Sequence, residues 1–172
     1  MRFSRDPLAD LEPLIRRVYA YVAYRIGDGP NAEDITSETF ERALRYRHSY
    51  DASKGEPAAW LIGIARRCLA GVPPPPPAAT PVEETPAAQD VEEESARRVD
   101  LQAALATLSQ RDREFLALRY GADLTAAQIG ELVDLSTNAV EVALHRARER
   151  LAVILAVDDG ESPEAGPEAV RV

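Results

Sequence analysis

Residues 125–151 read TAAQIGELVDLSTNAVEVALHRARERL, and the side chains there that can do chemistry are hydrogen-bonding groups and cations rather than nucleophiles. Thr137, Asn138 and Glu141 can exchange hydrogen bonds with base edges, and Arg146, Arg148 and Arg150 can neutralise phosphates. Such groups recognise a polyanion without making or breaking covalent bonds. Two helices must position them. Thr125, with Gln128 three residues on, has the capping-box pattern for a first helix that buries Ile129, Leu132 and Val133. Asp134, Leu135 and Ser136 interrupt the period, and Ser136 is a suitable N-cap for a second helix. There Val140, Leu144, Ala147 and Leu151 fall on one face, while Thr137, Asn138, Glu141, His145 and Arg148 fall on the other. This is the pattern of a helix-turn-helix, in which the start of the second helix enters the major groove. Ser136, Thr137, Asn138, Glu141, His145, Arg146 and Arg148 form the candidate DNA-reading set. The same periodicity also suits two helices of an ordinary bundle.

At 172 residues the chain has room for one ordinary domain or two small ones, and its prolines favour two. Five consecutive prolines, Pro73 to Pro77, open a stretch to about Ala96 with no aromatic residue and only Val82 and Val91 as large aliphatics. Such a segment buries too little surface to fold and could span roughly 75 Å, so its flanks need not touch. The predicted organisation is a helical domain over 1–71, a flexible linker over 72–96, a helix-turn-helix domain over 97–157 and a disordered acidic tail over 158–172. The class is all-α.

The net charge of −9 is unevenly spread. Residues 1–72 hold eleven basic and ten acidic side chains and residues 97–156 eight of each, whereas 73–96 holds six acidic and none basic, and 157–172 five acidic and one basic. The predicted domains are therefore near neutral, and strong nonspecific DNA affinity is not expected. A partner must supply the remaining affinity. The single cysteine, Cys68, excludes an internal disulfide and reads as a core residue; with only His48 and His145 beside it, no structural metal site is expected. The N-terminus lacks the apolar core of a signal peptide, and the longest aliphatic run, Leu151 to Val157, is too short for a bilayer. Neither membrane insertion nor a cofactor is predicted, and the expected location is the cytoplasm.

Three helices are predicted before the linker. The first runs from about Pro7 to Ile26, burying Leu11, Leu14, Ile15, Val18, Val22 and Ile26, and ends at Gly27-Asp28-Gly29-Pro30. The second, capped by Asn31, reaches about Tyr46 with Ile35, Phe40, Ala43 and Leu44 inward, while Asp34, Ser37, Glu38 and Glu41 form an acidic stripe. The third starts near Pro57 and buries Trp60 or Leu61, Ile64, Ala65 and Cys68, with Arg66 and Arg67 near its end.

Residues 32–44, AEDITSETFERAL, resemble the AED-led signature of the second conserved region of bacterial RNA polymerase sigma factors of the extracytoplasmic-function group. Residues 58–70, AAWLIGIARRCLA, are similar to the tryptophan-led helix that follows it. Residues 101–151 resemble the fourth region, including the phrase L-x-x-R-x-R-x-x-x-L-L-R-Y and the closing H-R-A-R-x-x-L. The resemblance implies docking on the clamp of core RNA polymerase through Asp34, Ser37, Glu38 and Glu41, an acidic face suited to a basic coiled coil. It implies further contact with the polymerase flap. It also implies recognition and melting of the −10 promoter element by Tyr50, Trp60, Arg66 and Arg67, through base stacking and backbone contacts. For Trp60 a core anchor is the rival reading, and the favoured one. The helix from Ser136 would read the −35 element. The linker would thread towards the polymerase cleft, where its carboxylates suit a channel shaped for a polyanion. An anti-sigma factor is a further candidate partner.

Three positions depart from the family pattern. Ser37 stands where a glutamine is usual, which removes a long hydrogen-bonding arm. Gly71-Val72-Pro73 replaces a basic end after the third helix, and Glu141 and Ala143 occupy recognition positions that are often basic. A carboxylate at 141 repels phosphate but can accept a hydrogen bond from cytosine N4. The alternatives are a sigma-like protein that binds polymerase or a regulator without reading promoters, and a stand-alone helix-turn-helix regulator. An enzyme is not predicted, because no phosphate loop, metal cluster or activated nucleophile is present at a recognisable spacing.

Overall fold

The computed structural model describes residues 6–72 and 89–158. The predicted linker between residues 73 and 88 and the tail from residue 159 lie outside the described residues. Among the described residues seven α-helices follow in order: α1 Leu11–Ile26, α2 Pro30–Arg45, α3 Pro57–Leu69, α4 Gln89–Thr107, α5 Gln110–Leu116, α6 Ala126–Val133 and α7 Thr137–Asp158. A 3-10 turn, Arg47–Ser49, precedes α3, and a π-helical turn, Ala117–Gly121, continues α5. The fold is all-α, as predicted.

Several boundaries differ from the prediction. α1 begins at Leu11 rather than near Pro7, because residues 6–9 form a turn in which the Ala9 N–H donates to Asp6 O and Leu8 is buried. Pro30, not Asn31, opens α2: its fixed φ suits the first helical position and Gly29 turns the chain into it. α4 begins at Gln89, so the part of the predicted linker rich in Glu and Ala, both strong helix formers, is helical.

α1 packs on α2 and α3 on one side, and on α5 and the π turn on the other. One apolar cluster therefore joins Val18, Tyr21, Val22, Leu61 and Ile62 of the N-terminal half to Leu118, Ala122, Leu124, Ile129 and Val140 of the C-terminal half. The sequence required no contact between the halves. A second cluster of Leu105, Leu108, Leu116 and Ala147 holds α4, α5 and α7 together. Service on two fronts explains why Tyr21 and Ala23 are buried in α1, while Leu11 and Ile15, predicted inward, are exposed although Leu8, Leu14 and Val18 around them are buried. Leu44 likewise lies exposed near the end of α2, and the buried positions of that helix are Ala32, Thr36, Thr39 and Ala43. Thr36 and Thr39 satisfy their hydroxyls by donating to Ala32 O and Ile35 O, one turn back, each at 2.7 Å.

At Gly121 the two halves meet backbone to backbone. A Cβ there would stand 2.8 Å from both Cα and N of Tyr21, closer than any side chain tolerates, so only glycine allows α1 to seat on the π turn. The π turn carries its own signature, the Ala122 N–H donating to Ala117 O at 2.9 Å.

Candidate nucleic-acid interface

The helix-turn-helix forms as its sequence predicts. Thr125 caps α6: the Gln128 N–H donates to its hydroxyl at 3.2 Å, and the Thr125 N–H donates to the Gln128 side-chain carbonyl at 2.8 Å. Asp134 ends α6 in the left-handed region at φ 57°, and the Leu135 N–H returns to Gly130 O at 2.9 Å. A Cβ on Gly130 would stand 2.5 Å from Leu135 O, so the turn closes because that position is glycine. Ser136 then caps α7, its hydroxyl accepting from the Ala139 N–H at 3.2 Å.

In α7, Val140, Leu144 and Ala147 are buried, and Ser136, Thr137, Asn138, Glu141, His145, Arg146 and Arg148 are all exposed. The amphipathic helix thus presents its polar candidates outward as a group. His145 and Glu149 lie 3.3 Å apart one turn from each other, both well exposed. Arg150 differs from the prediction. Its Nη1 donates to both carboxylate oxygens of Asp112 at 2.8 Å, so it braces α7 on α5 instead of facing a phosphate.

In the N-terminal half, Asp34, Ser37 and Glu41 are exposed along one side of α2. Glu38 shares that side but pairs with Arg42 of the same helix, which offsets part of the stripe's charge. The loop before α3 is held by Asp51, whose carboxylate accepts from the Ser53 N–H and hydroxyl at 3.0 and 2.7 Å; these bonds keep its carboxyl below the usual carboxylate range. Tyr50 donates its hydroxyl to Gly55 O at 2.9 Å and tilts against Trp60, ring centroids 5.5 Å apart at 59°. Leu61 and Ile64 fill the core beneath. Trp60, favoured from sequence as a core anchor, is half-buried and lines a surface groove with Tyr50 and Arg67. Arg67 is exposed, but Arg66 is not available as a free backbone holder: its Nε donates to Glu114 and its Nη1 to Leu132 O, both at 2.9 Å and both in the C-terminal half.

Sequence reasoning missed the residues that join the halves. Arg17 donates from Nε to Ala122 O at 2.7 Å and from Nη2 to Asp123 O at 3.0 Å, and Nη2 also reaches Glu56 at 3.1 Å. Gln128 donates to that same Glu56 carboxylate at 3.0 Å. Glu114 pairs with Arg25 and Arg66 and accepts from the Tyr21 hydroxyl at 3.1 Å. Burial pushes the Tyr21 phenol up against the opposing influence of Arg25 and Arg66, which keeps it a donor. Among the described residues Arg113 is buried against carbonyls rather than a carboxylate; it donates to Leu105 O and Ala106 O at 2.8 Å and to Leu108 O at 3.1 Å, closing the C-terminal end of α4, and reaches Arg25 O at 3.3 Å at the end of α1. Burial and the neighbouring Arg25 hold its guanidinium below the usual range, and the carbonyl ends of two helices compensate. Among the described residues no group of His, Cys, Asp and Glu could hold a metal ion, and no helix is long and apolar enough to cross a membrane.

A capped helix-turn-helix with an exposed polar face thus stands beside a three-helix half that carries an acidic helix and an aromatic groove. Sequence models of Sigma-70 region 2 and Sigma-70 region 4 match residues 11–70 and 98–151, about two thirds of the chain together. The chain belongs to the Sigma-70 family, within its extracytoplasmic-function (ECF) group. It is 31% identical over 152 residues to the ECF RNA polymerase sigma factor BldN of Streptomyces coelicolor, a match covering 82% of this chain and 57% of BldN. It is 28% identical over 144 residues to the ECF RNA polymerase sigma factor SigM of Bacillus subtilis, covering 80% of this chain and 87% of SigM. The fold is shared with the sigma factor RpoE, solved in complex with the anti-sigma factor NepR from Bartonella quintana, at TM-score 0.60 and 20% identity over 84% of this chain and 93% of that one. CnrH, solved in complex with the cytosolic domain of CnrY, superposes with TM-score 0.59 and 21% identity over 85% of this chain and 82% of its own.

Proposed function

We propose that the protein directs core RNA polymerase to a particular set of promoters in the cytoplasm, by docking and DNA readout without covalent chemistry of its own. The observation that carries this reading is α7, whose apolar side is buried while Thr137, Asn138 and Glu141 stand exposed at its capped start. These three residues read base edges of the −35 element; His145, Arg146 and Arg148 follow along the backbone. Asp34, Ser37, Glu38 and Glu41 meet the basic clamp coiled coil, and the C-terminal half meets the flap. Tyr50 and Trp60 offer aromatic faces to unpaired bases of the −10 element, with the exposed Arg67 at the backbone and Arg66 held back by Glu114 and Leu132 O. In this reading residues 1–71 and 97–157 are two sequential domains, with residues 72–96 as linker and 158–172 as tail. An anti-sigma factor is a third partner in this reading, in keeping with the complex in which the structural neighbour RpoE was solved.

Run-off transcription with purified core enzyme on genomic promoters tests the proposal. Promoter-dependent transcripts that vanish without the protein are expected. Tight association with core and no transcript at any promoter would favour the second reading, a polymerase-binding protein that does not read promoters. The observation behind that reading is the engagement of Arg66 by Glu114 and Leu132 O, together with an α3 that ends at Leu69 without a basic extension.

A further inference from the structure

Four arginines drawn from both halves line one cleft, with a single carboxylate among them. Arg25 of α1, Arg66 and Arg67 of α3 and Arg111 of α5 surround a space of about 750 Å³, and Glu114 is the one acidic residue on its wall. We infer that this cleft is a binding site for an oligophosphate anion, free or carried by a nucleotide. The inference stands apart from the promoter-directing reading, since it invokes neither DNA nor polymerase.

Charge is the first ground. Four guanidiniums against one carboxylate leave about three positive charges facing the same space, in a chain whose net charge is −9. Glu114 does not compete for a ligand's cations or repel its anions freely, because it is only 14% exposed and already pairs with Arg25 and Arg66, which it holds in fixed positions. The other two cations are the gripping groups. Arg67 and Arg111 are exposed; among the described residues the Arg67 side chain has no hydrogen-bond or ion-pair partner, and Arg111 lies over the Phe115 ring, 5.9 Å from its centroid. Two preset cations and two unengaged ones suit an anion that carries several charges in a row, because guanidinium forks take phosphate oxygens in pairs. Size is the second ground. The space lies in the range of small-molecule sites and exceeds what one phosphate fills. Gly63, Leu69, Ala70 and Leu132 add an apolar stretch to its lining, which suits a flat nucleobase. Arg67 belongs to α3 and Arg111 to α5, so a bound oligophosphate spans the seam between the halves.

Calorimetric titration of the full-length protein in magnesium-free buffer tests the site, with inorganic tripolyphosphate, ATP and inorganic phosphate as probes. Tripolyphosphate should bind saturably, and phosphate about ten-fold more weakly or less. Arg67→Ala and Arg111→Ala should each weaken tripolyphosphate about ten-fold, with helix content by circular dichroism unchanged because both side chains are exposed. Arg148→Ala, which removes an exposed cation of α7 that does not line the cleft, should change nothing. ATP binding tighter than tripolyphosphate would assign the anion to a nucleotide with its base on the apolar stretch; equal affinities would assign it to the inorganic chain. No saturable binding, or an equal loss in all three variants, would overturn the site. A short single-stranded oligonucleotide that displaces tripolyphosphate and shows the same dependence on Arg111 would overturn it as well, giving these arginines to a DNA backbone.

Discussion

Arg150 straddles Asp112, its Nη1 2.8 Å from each carboxylate oxygen, while the Ser109 hydroxyl donates to the same group at 2.8 Å. Asp112 is almost fully buried, so the arginine that closes the HRARER run fastens α7 to α5. Arg150→Ala should lower the thermal stability by about 1–2 kcal/mol, the usual cost of stranding a charged hydrogen-bonding group, and leave the salt dependence of DNA binding unaltered. Arg148→Ala should do the reverse, sparing stability and reducing the slope of log affinity against log salt by about one. Melting curves and a salt titration on duplex DNA separate the two; equal salt slopes would contradict the assignment.

Gly130 carries the turn. Gly130→Ala sets a methyl 2.5 Å from Leu135 O, and the expected penalty is about 1–3 kcal/mol with a displaced start of α7. Duplex affinity should fall along with stability. A variant that melts like wild type yet reads DNA normally would show that the turn relaxes without moving the recognition helix.

Asp34→Arg should abolish association with core polymerase, measured by pull-down, while the melting temperature stays put, because Asp34 is exposed. Glu38→Arg should act in the same direction with an added cost, since it also sets a like charge against Arg42. Unchanged core affinity in both would remove α2 from the docking surface.

Glu141→Gln exchanges an acceptor-only group for one that also donates. If Glu141 accepts from a cytosine N4 amine, the variant should relax preference at that base pair by about 1–3 kcal/mol and bind all sequences slightly better through lost phosphate repulsion. Binding selection on randomised duplexes checks this; an unchanged logo would place Glu141 away from the bases.

The helix-turn-helix was legible in outline, because its main signals are local: a capping box, a broken period, a serine cap and a 3.6-residue repeat; the close approach at Gly130, the left-handed Asp134 and the pairing of Arg150 were not. The junction between the halves was not. Glu114 meets Tyr21 across 93 positions and Arg66 across 48, and no period or spacing encodes such a pairing. The errors in α1 have the same origin. Periodicity marks which residues share a face, and it correctly put Leu14, Val18 and Val22 inward, but it cannot say that a second partner covers Tyr21 while Leu11 and Ile15 stay exposed. Of the two inward candidates, Trp60 and Leu61, Leu61 is the fully buried one, while Trp60 packs half-buried against the same core.

Since α1 lends its middle turns to both halves at once, separating them is no free swing on a tether. The strip of Val18, Tyr21 and Val22, now capped by Leu118 and Leu124, would be laid bare to water. Parting the halves therefore carries a hydration cost that their ion pairs alone do not measure.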